Sequence, residues 1–348
     1  MKIGIHYREG SYSERWIEYC QEHKIDYKIV NAYDTDIVEQ LSDCDVFMWH
    51  HHQANYKDAL FAKQLLFSLE QAGKVVFPDW RTGWHFDDKL GQKYLFEANH
   101  IQTAPTYAFF SKKDAYDWIE KATFPKVFKL RGGAGAANVM LVKSRRQARR
   151  FVRKSFGRGW KYFSGLRYFK EQLHFFVNRR VSFLKVIKGF GRIFIEPKIV
   201  KMMSKHKGYV YFQEFIPNDG FDYRIEICGD KCTAWVRYVR RNDFRASGGH
   251  DNHANKELIP HDVLLFAFDI ADKLKLQAAA LDIVRHKETG DLFLIENSYC
   301  YGADDDEFEH GYWDKNGVFH DEKFNGLDDR ECNSSVFERQ KISNIENI

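Results

Sequence analysis

Two carboxylates in the last quarter of the chain are placed where a charge needs a reason. Asp282 stands in Ala-Leu-Asp-Ile-Val and Glu296 in Leu-Phe-Leu-Ile-Glu-Asn-Ser, and an unpaired charge among apolar residues is expensive. Both segments read as strands, and Glu288-Thr-Gly290 between them reads as a turn, so an antiparallel hairpin would bring the two acids together. Close carboxylates repel unless a cation or proton lies between them. Mg²⁺, held by carboxylates and nucleotide phosphates, meets that need. A structural ion network with Arg237 or Arg240 meets it equally.

A second chemical signal lies at residues 124–139, Phe-Pro-Lys-Val-Phe-Lys-Leu-Arg-Gly-Gly-Ala-Gly-Ala-Ala-Asn-Val. An apolar strand ends in Lys129, and Gly132, Gly133 and Gly135 follow at once. Backbone N–H groups of such a loop can close around phosphate oxygens while a lysine supplies a point charge. The loop lacks the Gly-Lys-Ser/Thr of a Walker A sequence and the spacing of a dinucleotide fingerprint. It returns to a strand rather than opening a helix, so it reads either as a flap over a nucleotide or as a plain hairpin turn.

Positioning these groups falls to a mixed set of elements. Strands at 2–7, 27–30, 46–49 and 74–77 alternate with helical patterns at 14–23, 36–41 and 56–72, which implies a parallel sheet covered by helices. Asp87 or Asp88 caps a helix running to about residue 100, and Pro105 closes this region. A strand, a helix at 114–121 and the glycine hairpin come next. After a long basic segment the pattern returns to strands at 209–216, 223–228 and 231–240, a helix at 261–275, and the carboxylate hairpin. The expected domains are 1–106, 107–212 and 213–348.

Charge is segregated along the chain. Net charge is +4, yet residues 143–207 hold twenty Lys and Arg against Glu171 and Glu196 alone, so the remainder is net acidic. Between residues 302 and 331, eleven acids face three bases. The basic segment interleaves ten aromatics between Trp160 and Phe194. Such a segment is either a solvated face of an inserted helical subdomain, or a surface for an anionic partner: a membrane, a lipid-linked acidic glycan, or nucleic acid. Nucleic acid is the weakest of these, because no nucleic-acid motif accompanies the charge. The six cysteines form no Cys-x-x-Cys pair, no apolar run approaches a membrane span, and the N-terminus lacks the parts of a signal peptide, so a reduced cytoplasmic protein is expected, with peripheral contact at the inner membrane face open.

The order of motifs resembles the ATP-grasp ligases. Lys89 in Asp-Asp-Lys, Lys129 with its glycine loop, Gln213-Glu214-Phe215-Ile216, Asp222-Tyr-Arg224, Arg237 with Asn-Asp-Phe-Arg245, and finally Asp282 and Glu296 follow one another as in that superfamily. The branch containing the ribosomal protein S6 glutamate ligase is the most similar, and the overall look of the chain is similar to ATP-grasp proteins associated with bacterial surface polysaccharides. The resemblance spans about residues 1–300.

It implies an α/β pre-ATP-grasp domain followed by two α+β lobes clamping Mg-ATP. Lys89, Lys129 and the loop with Gly132, Gly133 and Gly135 would hold phosphates. Gln213 to Ile216 would read the adenine, with Glu214 or Asp222 as a side-chain acceptor. Asp282 and Glu296 would hold Mg²⁺, joined by Ser298, where the family usually has Asn, or by Asn297. Arg237 would neutralise the γ-phosphate or an acyl phosphate, and Arg245 would grip the substrate carboxylate. The implied reaction joins a carboxylate to an amine through an acyl phosphate, releasing ADP and phosphate. A sugar acid or surface glycan is the expected acid, and a homodimer is compatible with it. An ATP-grasp kinase and a non-catalytic ATP- or glycan-binding clamp are the alternatives.

Other residues carry open readings. His50-His51-His52, after a strand at the carboxyl edge of the first sheet, could line a substrate site or, less readily, hold a metal. Arg8-Glu-Gly-Ser-Tyr12 could hold an anion or merely cap a helix. The cluster Trp80-Arg-Thr-Gly-Trp-His85 could stack on a ligand or pack internally. His250 is a further candidate for the substrate carboxylate. Cys300 has no partner at readable spacing and is taken as non-catalytic.

Overall fold

The computed structural model describes the chain apart from residues 133–137, 162–164, 178–181, 196–199, 201, 203, 241–242, 248–250, 302–310 and 322–348. Gly133, Gly135 and His250 therefore lie outside the described residues. The chain forms two compact units: Met1–Gln53, Lys57–Ala104 and Ile216–Ile348 make the first, and Ala54–Tyr56 with Pro105–Phe215 the second.

The first unit opens on a four-stranded sheet, Asp26–Val30, Lys2–His6, Val46–Met48 and Val75–Phe77 in spatial order, parallel throughout. Ile3, Ile5, Val46 and Met48 meet Trp16 and Cys20 of the helix Tyr12–Glu22 in one buried cluster. Cys228, Ala278, Ala280, Tyr299 and Tyr301 from the far end of the chain belong to the same cluster. Gln277 ties the two regions further. Its Oε1 accepts from Asp79 N at 2.7 Å, its backbone N–H donates to Thr82 Oγ1 at 2.9 Å, and its Nε2 donates to Val76 O at 3.0 Å. A buried amide with both ends satisfied fixes one arrangement of these segments.

The second sheet of this unit is seven-stranded. Leu292–Ser298, Ala278–Arg285, Phe221–Cys228 and Lys231–Tyr238 lie side by side and antiparallel. Gly229, at φ +57°, supplies the left-handed residue that the tight turn between the last two needs. One face is covered by the helix His261–Leu274, whose Val263, Ala267, Phe268 and Leu274 join Ile225, Ile227, Leu281 and Ile283 in the largest core. That burial fixes the register, because a slip by one residue would turn every charged side chain of the opposite face inward.

The second unit carries an antiparallel sheet ordered Thr106–Phe109, Val210–Glu214, Lys126–Lys129 and Val139–Val142. The helices Lys112–Lys121 and Arg145–Phe156 supply Ala115, Ile119, Ala148, Phe151 and Val152 to a core with Phe128, Trp160 and Phe212. Ser111 and Ser144 cap these helices through Asp114 N and Gln147 N. The basic segment continues as two further helices, Gly165–Val177 and Phe183–Phe194.

Candidate active site

Strand register assembles the charged face of the first unit. Asp282 lies opposite Glu296 on one side and Arg224 on the other, while Arg237 lies opposite Asp222. Arg224 Nη1 donates to Asp282 Oδ1 at 2.7 Å, and Arg237 Nη2 reaches Asp282 Oδ2 at 2.9 Å. Arg237 also grips Asp222 with Nε and Nη2, both at 2.8 Å, and Arg224 Nε meets Glu226 Oε1 at 3.1 Å. The result is an alternating row Glu226, Arg224, Asp282, Arg237, Asp222. Its three acids outnumber its two bases.

The electrostatics follow from this row. Burial pushes the Asp282 carboxyl up, but Arg237 and Arg224 outweigh it and hold the group at about 2. At Asp222 burial dominates and lifts the carboxyl despite Arg237. Burial works against the Arg237 charge, yet Asp282 and Asp222 raise it well beyond its ordinary value.

Lys89 opens the helix Lys89–Ala98, whose N-cap Asp88 accepts from Gly91 N at 2.9 Å. Its side chain is buried, and Nζ lies 2.9 Å from Glu296 Oε1. Burial disfavours the ammonium, but Glu296, Asp87 and Asp282 together raise it above its ordinary value. Gln92, one turn along the same helix, clamps the strand by donating to Asn297 O at 2.7 Å. Alternation along a strand puts Ser298 on the Glu296 side and Asn297 on the other. Asn297 is buried there, and Ser298 Oγ donates to Cys300 O at 2.8 Å.

The network answers the choice between a metal and an arginine partner in one respect. Asp282 is engaged by Arg237, and Arg240 donates to Ser247 O at 2.7 Å. Among the described residues no three His, Cys, Asp or Glu side chains converge as in a preformed metal centre. Mg²⁺ does not require one, since one or two carboxylates with nucleotide phosphates and water suffice. The surplus negative charge of the row and the hard oxygen donors of Asp282 and Glu296 fit that ion.

In the second unit Lys129 ends its strand, buried, opposite Tyr211 and Val139. The ends of the glycine loop are tied, Leu130 N to Asn138 O at 3.3 Å and Arg131 N to Tyr209 Oη at 2.6 Å. Gly132 stands at the loop entrance, its carbonyl accepting from Asn138 Nδ2 at 3.4 Å. Lys126, also buried, pairs with Glu214 at 2.6 Å, and Gln213 Nε2 donates to Thr106 Oγ1 at 3.3 Å. Phe215 is the last residue of this unit and Ile216 the first of the returning chain of the other. Arg245 grips Asp243 through Nε at 3.0 Å and Nη2 at 2.5 Å.

Three readings are sharpened. Cys300 does have a partner: its Sγ lies 3.0 Å from His50 Nε2. His50 Nδ1 accepts from Tyr12 N at 3.2 Å, which assigns the proton of the neutral ring to Nε2. Burial holds His50 down at about 3 and pushes the Cys300 thiol up to about 12, so the couple is uncharged and no nucleophile. The turn after the first strand caps a helix, with Ser11 accepting from Ser13 N and Glu14 from Gly10 N at 3.1 Å. Trp80 and Trp84 stack together, and Trp80 packs on Phe67 of the helix Tyr56–Gln71.

Arg224, Glu226, Lys126 and Gln92 are the residues that spacing alone did not single out. Arg224 alone had a signal, an arginine two positions beyond Asp222 on an apolar strand.

No family model matches the chain. The α-aminoadipate–LysW ligase LysX of Saccharolobus solfataricus is 22% identical over 271 residues, covering 77% of this chain and 82% of that protein. An ATP-grasp protein with a RimK domain from Sphaerobacter thermophilus superposes with a TM-score of 0.51 at 13% identity, over 87% of this chain and 92% of the other. The N5-carboxyaminoimidazole ribonucleotide synthetase of Thermotoga maritima gives 0.53 at 13% identity, over 94% and 75%. The parallel sheet, the two antiparallel sheets and these likenesses agree on the ATP-grasp fold, and in sequence the chain is similar to an ATP-grasp ligase.

Proposed function

We propose that this protein is an ATP-dependent ligase that joins a carboxylate to an amine and releases ADP and phosphate. The observation that carries the proposal is the Asp282 row, in which an ionised carboxylate is shared by Arg224 and Arg237 on the strand next to Glu296. Phosphoryl transfer asks mainly for positioning and charge neutralisation. Asp282 and Glu296, with Ser298 beside them, would hold Mg²⁺, which supplies charge neutralisation at the phosphates when bound. Arg237 is the cation for the γ-phosphate and the acyl phosphate, and Lys89 and Lys129 are the lysines for the nucleotide phosphates. Gln213, Glu214, Phe215 and Ile216 would read the adenine. Glu214 or Asp222 would be the side-chain acceptor, and each already holds a cation, Lys126 and Arg237 respectively.

In this reading the substrate carboxylate oxygen attacks the γ-phosphorus and ADP leaves. The amine nitrogen then attacks the acyl carbon, phosphate leaves, and the amine loses a proton. Arg245 would orient the acid. A sugar acid or acidic glycan is the acid we favour, because the twenty bases of 143–207 suit an anionic partner. The test is a screen of pooled sugar acids and amines with Mg-ATP, scored by ADP. Release of ADP only when both an acid and an amine are present supports the reading, and AMP would overturn it.

A further inference from the structure

The helix Phe183–Phe194 carries an apolar stripe that stays more than half exposed, although Phe183 and Phe190 each touch one ring of the neighbouring helix, Phe176 and Phe169, at 5.6 Å between centroids. Phe183, Ile187, Phe190 and Phe194 recur at i, i+4, i+7 and i+11, one face of a helix, and are between 52% and 73% exposed. Lys185, Lys188 and Arg192 recur at i, i+3 and i+7 on the opposite face, all exposed, and the helix has no acid. The seam toward its neighbour Gly165–Val177 is a third face. Val186 and Gly189 are buried there, and a Cβ on Gly189 would lie 3.3 Å from Gln172 Cγ. The stripe borders this seam through Phe183 and Phe190 but presents most of its area outward. Leu166, Leu173 and Val177 extend the exposed apolar surface onto the first helix.

We infer that this hairpin is a docking element for an anionic lipid surface. An aromatic and aliphatic stripe backed by lysines and arginine, on a short helix, is the composition of elements that lie in the headgroup plane. Among the described residues no helix is long and apolar enough to cross a membrane, so the element lies on the surface rather than spanning it. Charge selects the occupant. A second copy paired through this same face would bring the same twenty bases against the segment and repel it, whereas anionic headgroups attract each exposed Lys and Arg. The hairpin would hold the enzyme where a lipid-linked acid is presented, but the inference does not rest on the ligase reading.

Vesicle flotation of the full-length protein without nucleotide tests it. The protein should float with vesicles of phosphatidylglycerol and phosphatidylcholine, remain behind with phosphatidylcholine alone, and be released by high salt. Lys185→Gln with Lys188→Gln should weaken binding on the order of 30-fold. Ile187→Gln with Phe190→Gln should weaken it about 100-fold or more. Both pairs are exposed, so an unchanged thermal melt confirms the fold. Four outcomes would each overturn the inference: failure to float, equal flotation of the wild-type protein and the variant carrying Ile187→Gln with Phe190→Gln, binding to random-sequence RNA in place of vesicles, or a dimer abolished by that same pair of substitutions. Because no ATP is present, none of these outcomes bears on the ligase reading.

Discussion

Lys89 and Glu296 are 207 positions apart in the chain, yet Nζ and Oε1 stand 2.9 Å apart at the edge of the charged row. The lysine proposed for phosphate and the carboxylate proposed for metal thus form an ion pair with each other. In the proposed cycle Mg-ATP separates them, since the phosphates offer the ammonium an alternative anion and Mg²⁺ offers the carboxylate an alternative cation.

Replacing Lys89 with Met should free Glu296 and remove a phosphate contact. We expect turnover to fall about 10²-fold, while the affinity for Mg²⁺ alone rises. Steady-state kinetics and a calorimetric Mg²⁺ titration read the two effects separately. Unchanged turnover would show that the ion pair is only structural.

Asp282→Asn should be costly twice. It leaves Arg224 and Arg237 facing each other without their shared counter-ion, a loss of about 3 kcal/mol of stability for a buried pair, and it should abolish Mg-ATP turnover. Urea unfolding and ADP release measure these. A folded variant with wild-type turnover would remove Asp282 from the chemistry.

Arg245 is partly exposed and grips its near neighbour Asp243, so its replacement should spare the fold. Arg245→Gln is expected to raise KM for the acid substrate about 10- to 100-fold, the worth of a charge-assisted contact, with KM for ATP unchanged. An equal rise in both constants would argue against a role at the acid.

Buried histidines predict a pH dependence of stability. His50 is held at about 3 and His85 at about 4, chiefly by burial, against 6.5 for the unfolded ring, and His51 shifts the same way. Between those values the unfolded chain binds more protons, so stability is complete above about 6.5 and is lost as pH falls toward 3. Each ring contributes a slope of at most about 1.4 kcal/mol per pH unit. His50→Gln should flatten the profile of urea midpoints across this window. An unaltered profile would mean that His50 is not buried neutral.

Much of this arrangement was legible along the chain. Period-two strands gave away the Asp282 and Glu296 hairpin, because the turn between them is short and local. The strand–loop–strand around Lys129 was readable for the same reason. What escaped is what only register decides. Arg224 faces Asp282 because two strands 58 positions apart pair in one alignment. His50 meets Cys300 across 250 positions. No spacing records such partners, since they are chosen by the packing of buried faces elsewhere in the sheet. The salt bridge of Lys89 was hidden likewise: its place at a helix start was visible, but the strand edge against which that helix packs was not.

The most direct test of the account is the identity of the nucleotide product. The protein, Mg-ATP, and matched pools of carboxylates and amines should give ADP and phosphate in amounts equal to the amide formed, with neither pool alone sufficient for turnover. AMP and pyrophosphate, or ADP accompanied by a phosphorylated hydroxyl and no amide, would contradict it.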